Sequence, residues 1–398
     1  MASSSNAATL EVPTEFASIQ DGIDAASDGD VVLVAPGTYF ESLTLAGKTV
    51  TLASHFLVTG DPSLIAQTVI DGGGGAFTIS VAGTVGPATT IVGLTIRNAD
   101  DGITADGSFQ LLDSRVTNNT DGIDYEAGGG LVRNCVFEGN SDDGIDLDHD
   151  VAVQIEESHI RGNDGDGIEI RLHPYTGPTL DIVIRNNRIE GNASDGIQLV
   201  GYDVATDRVF HIEGNTFVAN LEAGIGMMCC QDTSEDFQGA SLPERVYVIG
   251  NTFVGHDHGI TGGVNDIILN NLLVSTTHIA LKNADGSSIA AHNLFWQNGT
   301  DWSSSNVDAP TTLQQDPLLG GNQELLSGSP AIDAGTAFYE HLGEVVLDLP
   351  PSAYHASAPD LGSSEVGPGP IPTLAPPLLP LLALLLGATA WGVLRPST

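Results

Sequence analysis

Apolar residues along this chain come in short alternating runs, and the runs recur. Ile123/Tyr125, Ile145/Leu147, Ile168/Ile170, Ile197/Leu199 and Ile225/Met227 each alternate with polar neighbours before Gly or Asn breaks the run. Alternation with period two is the pattern of a strand with one buried face. The residues between and after them, Asp124/Glu126, Asp146/Asp148, Glu169/Arg171 and Gln198/Val200, must then point outward. Most runs open on the same phrase: Asp101-Gly-Ile103, Asp121-Gly-Ile123, Asp143-Gly-Ile145, Asp166-Gly-Ile168 and Asp195-Gly-Ile197. Ala223-Gly-Ile225 and His258-Gly-Ile260 are weaker copies. A second phrase closes on Asn119, Asn140, Asn163, Asn192, Asn220 and Asn298, and positions 98, 119, 140 and 163 stand 21, 21 and 23 apart.

A repeat of this length means a solenoid. It is too short for two helices, and the Leu framework of a leucine-rich repeat is missing. Three short strands and three turns fill it, which is one coil of an all-β parallel β-helix. Coils stack about 4.8 Å apart, so the outward residues form a column of carboxylates with one arginine. The Asn residues read as a structural ladder, since Asn tolerates left-handed corners and stacks amide on amide.

Domain limits follow. Residues 1–10 are small and polar, and 1–13 are expected to be disordered. Thr14 to Ala26 carries an apolar stripe with a Ser18/Asp21 capping pair and predicts a helix that closes the first coil. Coils are expected over 14–300 and a C-terminal cap over 301–366. Residues 367–398 read as a Pro/Gly linker and a hydrophobic tail of nearly bilayer-spanning length.

The stretch Phe16 to Leu45, FASIQDGIDAASDGDVVLVAPGTYFESLTL, resembles the opening of right-handed parallel β-helix proteins of the pectate-lyase-like superfamily. The later repeats are similar to that superfamily's generic repeat. The resemblance implies a right-handed, three-sheet coil and leaves the chemistry open. The tail from Ile371-Pro-Thr-Leu374 to Arg395 resembles an IPTL-type sorting signal of Gram-negative bacteria, with prolines where a Trp is usual. It implies a C-terminal apolar helix, contact with membrane or sorting machinery, and an extracellular or cell-surface location. No basic segment followed by an apolar run opens the chain, so an export signal is expected upstream or already removed.

Net charge is −39, from 51 acidic and 12 basic residues, and the only lysines are Lys48 and Lys282. A protein that tracks nucleic-acid phosphates needs the reverse balance. Three cysteines make no disulfide framework. A monomer is expected.

Candidate chemistry gathers on the acidic column. From Arg171 onward the coils grow at one phase, through 173–178, Gly201 to Asp207 and 229–243, and so raise a wall beside the column. Asn119-Thr-Asp121 and Asp142-Asp143 resemble the NTD and DD motifs of polygalacturonase-type glycosidases, which implies Asp121, Asp142 and Asp143 as general acid and water-activating base. Gly165-Asp166-Gly167 stands where that family has Gly-His-Gly, and its Arg-x-Lys has no counterpart. A calcium ion on Asp146, Asp148, Asp166 and Glu169 would relieve the crowding of like charge. With a cation neutralising a uronate, β-elimination is a further reading. Asp124, Asp146, Asp148, Glu169, Arg171, His149 and His173 would then contact a polysaccharide, while Tyr175 and Tyr202 stack on its rings. The expectation is an exported carbohydrate-active protein, a glycoside hydrolase or a polysaccharide lyase. The alternatives are a non-catalytic, calcium-stabilised adhesin or matrix stalk, and a periplasmic metal-handling protein.

Overall fold

A computed structural model describes residues 7–202 and 204–367. The strands stack in three parallel sheets that run the length of the solenoid. Sheet A begins with Thr9–Val12 and Val31–Val34 and continues to Ile289–Ala291. Sheet B runs from Gly37–Phe40 to Leu294–Trp296, and sheet C from Leu43–Leu45 to Thr300–Ser303. Long strands such as Asp121–Arg133 and Ile145–Glu156 turn a corner and serve two sheets. Every residue named above as inward is at most 1% exposed, so one apolar core runs through the coils. Tyr125 belongs to it, stacked on Phe109 at 5.5 Å.

The Asp-Gly-Ile phrase has a structural reason at each letter. The Ile fills the core. The Gly permits close approach of successive coils: a methyl group on Gly144 would lie 2.6 Å from the Gly167 carbonyl oxygen. The Asp ties coil to coil, Asp143 Oδ1 accepting the Asp166 N–H at 2.6 Å. Gly144→Ala must therefore push two coils apart and is expected to cost about 2–4 kcal/mol, read from the denaturant midpoint.

The Asn ladder stands as expected. The side-chain N–H groups of Asn119, Asn140, Asn163 and Asn192 each donate to the Oδ1 of the next member, at 2.9–3.3 Å. A second ladder, Asn187–Asn215–Asn251–Asn271–Asn293, runs beside it. The left-handed corner falls on the residue before each member, as at Asn118 (φ 56°) and Gly162 (φ 57°). The ladder Asn itself serves the amides.

Three boundaries move. Residues 9–12, expected to be disordered, pair with Val31–Val34, because Leu10 and Val12 bury against the first coil. The capping helix is shorter, Ile19–Ala25, with Ser18 Oγ accepting the Asp21 N–H at 3.1 Å. Glu41 takes the Ile19 and Gln20 N–H groups, and Lys48 Nζ donates to the carbonyls of Ile23, Asp24 and Ala26. Both helix ends are thus satisfied by the first coils. At the other end the solenoid continues past 300, with Val307 bridging Ala290 and Leu313 bridging Leu294. The rest of the cap packs along the flank. Leu325, Ala331 and Leu361 cover Leu272 and Leu294, while the hairpin Phe338–His341/Glu344–Asp348 covers Ile267 and Leu269. The expected sorting tail lies outside the described residues. Among the described residues no helix is long and apolar enough to cross a membrane.

Candidate functional site

The outward face of sheet C carries the expected column. Register pairs Asp124 with Asp146, Asp146 with Glu169, Glu169 with Gln198, and Gln198 with Gly226. The column is not an open surface, however: Asp146, Glu169 and Gln198 are 6%, 4% and 0% exposed.

Beside it runs a separate spine made by the Asp of each repeated phrase. Asp121 Oδ1 accepts the Asp143 N–H at 3.0 Å, and Asp166 and Asp195 continue the pattern to the amides of Asp195 and Ala223 at 2.6 Å. The spine gives several of the expected site residues a structural role. In the proposed acid–base trio, Asp121 and Asp143 each commit an oxygen to a backbone amide, and Asp142 is exposed off the spine. Among the proposed cation ligands, Asp166 lies in the spine, its Oδ1 accepting the Asp195 N–H, and is near enough to Glu169 for their charges to repel. An amide-accepting carboxylate is a structural device first.

The remaining residues do converge. Arg171 grips Glu169 with two bonds of 2.8 and 2.9 Å, and its Nη1 lies 3.3 Å from Asp146 and 3.5 Å from Asp148. Asp124, Asp146 and Asp148 bring ligand oxygens within 4.8 Å of one another, as do Asp143, Asp146 and Glu169. Oδ1 of Asp124, Asp146 and Asp148 is in each case buried without a hydrogen-bond partner. Unsatisfied buried acceptors are costly, and three together form a cradle of hard oxygen donors. Their spacing suits a cation bound at 2.3–2.6 Å, the range for calcium.

Over this cradle stands an aromatic shelf. His149 stacks on His173 at 4.1 Å, and the Tyr202 hydroxyl lies 3.1 Å from His173 Nε2. His149 Nδ1 also meets Glu126 at 3.0 Å. Arg208, 3% exposed, fixes the shelf from below by donating to the carbonyls of His173 and His149. Its guanidinium covers one face of Tyr175, whose hydroxyl donates to Pro178 at 2.9 Å, so Tyr175 braces the wall. Tyr202 lies against His173 at 4.4 Å. Further along, the 229–243 insertion sends Glu235 down toward buried Asp195 over Gly226, where any side chain would strike both carboxyls.

Electrostatics follow from this packing. Burial, then the charges of Asp101 and Glu126, pushes Asp124 up to about 7. Burial lifts Asp146 to about 9 even though Arg171 opposes it. Asp121 rises to about 6, chiefly by burial. Burial raises Asp143, Asp166 and Asp195, helped by the charge of Asp166 at the first and third and by that of Glu169 at Asp166. Burial works against the charge of Arg171, but Asp146 and Glu169 outweigh it, so Arg171 cannot serve as a base. Burial and the neighbouring His149 lower His173, favouring a neutral ring.

Residues 77–273 match the family model described as the right handed beta helix region. The chain is a right-handed parallel β-helix. Among curated proteins no sequence match was found. Similar solved structures include a pectate lyase, with 15% identity over 91% of this chain and 97% of that one and a TM-score of 0.48. The A-module of an Azotobacter vinelandii mannuronan C-5 epimerase shares 18% identity over 78% of this chain and 95% of its own, with a TM-score of 0.49. The catalytic domain of a GH87 α-1,3-glucanase in complex with nigerose shares 10%, over 79% and 69%, with a TM-score of 0.44. Likeness of this degree concerns the fold. Arg208 and Glu235 escaped the sequence reading because they sit in or beside insertions with no periodicity. Asp203, in the second insertion, lies outside the described residues.

Proposed function

We propose that the protein is carbohydrate-active and binds a uronate-bearing polysaccharide on the shelf through calcium held by Asp124, Asp146 and Asp148. The observation that carries this reading is the set of three buried carboxylate oxygens without hydrogen-bond partners, one of which, on Asp148, lies 3.6 Å from His173 Nε2. An acidic polymer would be repelled by this face unless a cation bridged it. Calcium would supply that bridge and neutralise the substrate carboxylate, which acidifies the adjacent C–H.

His173 then removes that proton as a neutral base, and Tyr202 protonates the leaving glycosidic oxygen. The C–H electrons become the new C=C bond as the C–O bond breaks, which is β-elimination. Arg171 orients Asp146, Asp148 and Glu169. The acidic composition and the sorting-like tail support export and action outside the cell. A hydrolytic reading draws support from Asp121 and Asp124, two half-buried carboxyls that burial pushes up to about 6 and about 7.

The test is a panel of polyuronates and neutral glucans with and without a calcium chelator, following reducing ends and ultraviolet absorbance together. Unsaturated ends that need calcium are the expected result. Reducing ends without unsaturation would mean hydrolysis. Inactivity on every polymer, with calcium still raising the melting temperature, would leave a calcium-stiffened stalk.

A further inference from the structure

Three and four coils beyond Glu169, roughly 15–20 Å along the solenoid, a second cluster of metal-competent groups stands apart from the acidic column. Asp257 sits at a coil corner, with His258 next to it and His278 directly above, the His278 N–H donating to the Asp257 carbonyl at 2.9 Å. The two oxygens of the Asp257 carboxylate face two different imidazoles. Oδ2 lies 3.2 Å from His258 Nδ1 and Oδ1 lies 2.5 Å from His278 Nδ1. One ligand atom from each of the three residues falls within 4.8 Å of the others.

We propose that Asp257, His258 and His278 form a binding site for a borderline transition-metal ion, such as zinc, distinct in chemistry from the all-oxygen cradle. Imidazole nitrogens select zinc, nickel, cobalt or copper, whereas carboxylates alone suit calcium. At tetrahedral zinc, with bonds of about 2.0–2.2 Å, neighbouring donor atoms stand roughly 3.4 Å apart. The His258 pair is already near that separation. His278 needs only a small outward swing, and it is free to make one, with a side chain 62% exposed.

The rings are also ordered for the task. His258 is clamped between Phe237 at 4.3 Å and His278 at 5.5 Å, all three nearly parallel. Three protein ligands, one of them exposed, leave a position for water. Lys282 lies near His258, and its ammonium is engaged by the Phe237 carbonyl. Because Phe237 belongs to the 229–243 insertion that also carries Glu235, a metal here would pin that insertion to two coils.

The experiment is a zinc titration of the metal-stripped full chain by calorimetry, in millimolar calcium to fill the oxygen cradle. Cobalt is titrated in parallel by visible absorption. One equivalent of zinc binding at about 1 µM or tighter is expected, with cobalt d–d bands. His278→Ala and Asp257→Asn should each weaken it at least ~30-fold, while His149→Ala leaves it within ~3-fold. His278→Gln serves as a second exposed-site variant. An absence of zinc heat up to about 100 µM would reduce the trio to hydrogen bonding alone. Binding that survives His278→Ala, or that disappears in His149→Ala, would move the site elsewhere. Any of these results overturns the proposal.

Discussion

Asp146→Asn is expected to make the metal-free protein more stable at pH 8 and the calcium-loaded protein less stable, a reversal of sign from a single substitution. Asp146 belongs to both carboxylate triads, is 6% exposed and has one oxygen without a hydrogen-bond partner. Without a cation, burial and then the charges of Glu169, Asp148 and Asp124 raise Asp146 to about 9, so folding at pH 8 must take up a proton, a cost that Asn avoids. With calcium bound, the same charge is a ligand. A ligand at 100 times its dissociation constant stabilises by about 2.7 kcal/mol. Saturating calcium should therefore raise the melting temperature of the wild type by roughly 3–5 °C, and Asp146→Asn should remove most of that gain. Uronate turnover, if the proposed function holds, should fall at least ~100-fold in the variant. Melting curves with and without calcium, at one pH, check the first part. Equal calcium shifts in both proteins would rule the cradle out.

The second large effect is an inverted pH dependence. Metal-free protein is expected to gain stability as pH falls from 9 to 6.5. Folding raises Asp124 to about 7 and Asp146 to about 9 and lifts Asp166, so the folded state holds protons that the unfolded chain has released. Such groups contribute stability that is fully present below the unfolded value, near 4, and is lost as pH rises through the folded values. The gain should be on the order of 2–4 kcal/mol across the window. Below pH 6.5 the trend becomes shallower, because buried His256, lowered to about 4, resists the charge that the unfolded chain accepts and offsets one of these protons. Calcium should flatten the profile by taking the place of the protons. A metal-free melting temperature that falls on acidification from pH 9 would mean these carboxylates are charged and satisfied in the fold.

Both expectations depend on how differently two classes of aspartate behave, and the chain does not distinguish them. Asp121 and Asp143 recur at the repeat's period, as do Asp166 and Asp195, and so they look like a site. Their oxygens go to the amide of the next coil, a use invisible until the coils are stacked. Asp124, Asp146 and Asp148 were legible as outward-facing, because alternation assigns faces. The absence of a hydrogen bond to one oxygen of each was not, since that depends on what the insertions place nearby.

Periodicity alone was enough to establish the coil, its length, its inward residues from Ile123 to Met227, its Asn ladder and the column of acids on one face. A strand's two-residue alternation and a fixed repeat leave a stacked chain little freedom in where side chains point. Which carboxylates were consumed by the backbone, how Arg208 set two histidines against Tyr202, and how Asp257 came between His258 and His278 followed only from folding. Those contacts join residues from different coils and irregular insertions, where no rhythm in the chain specifies distance.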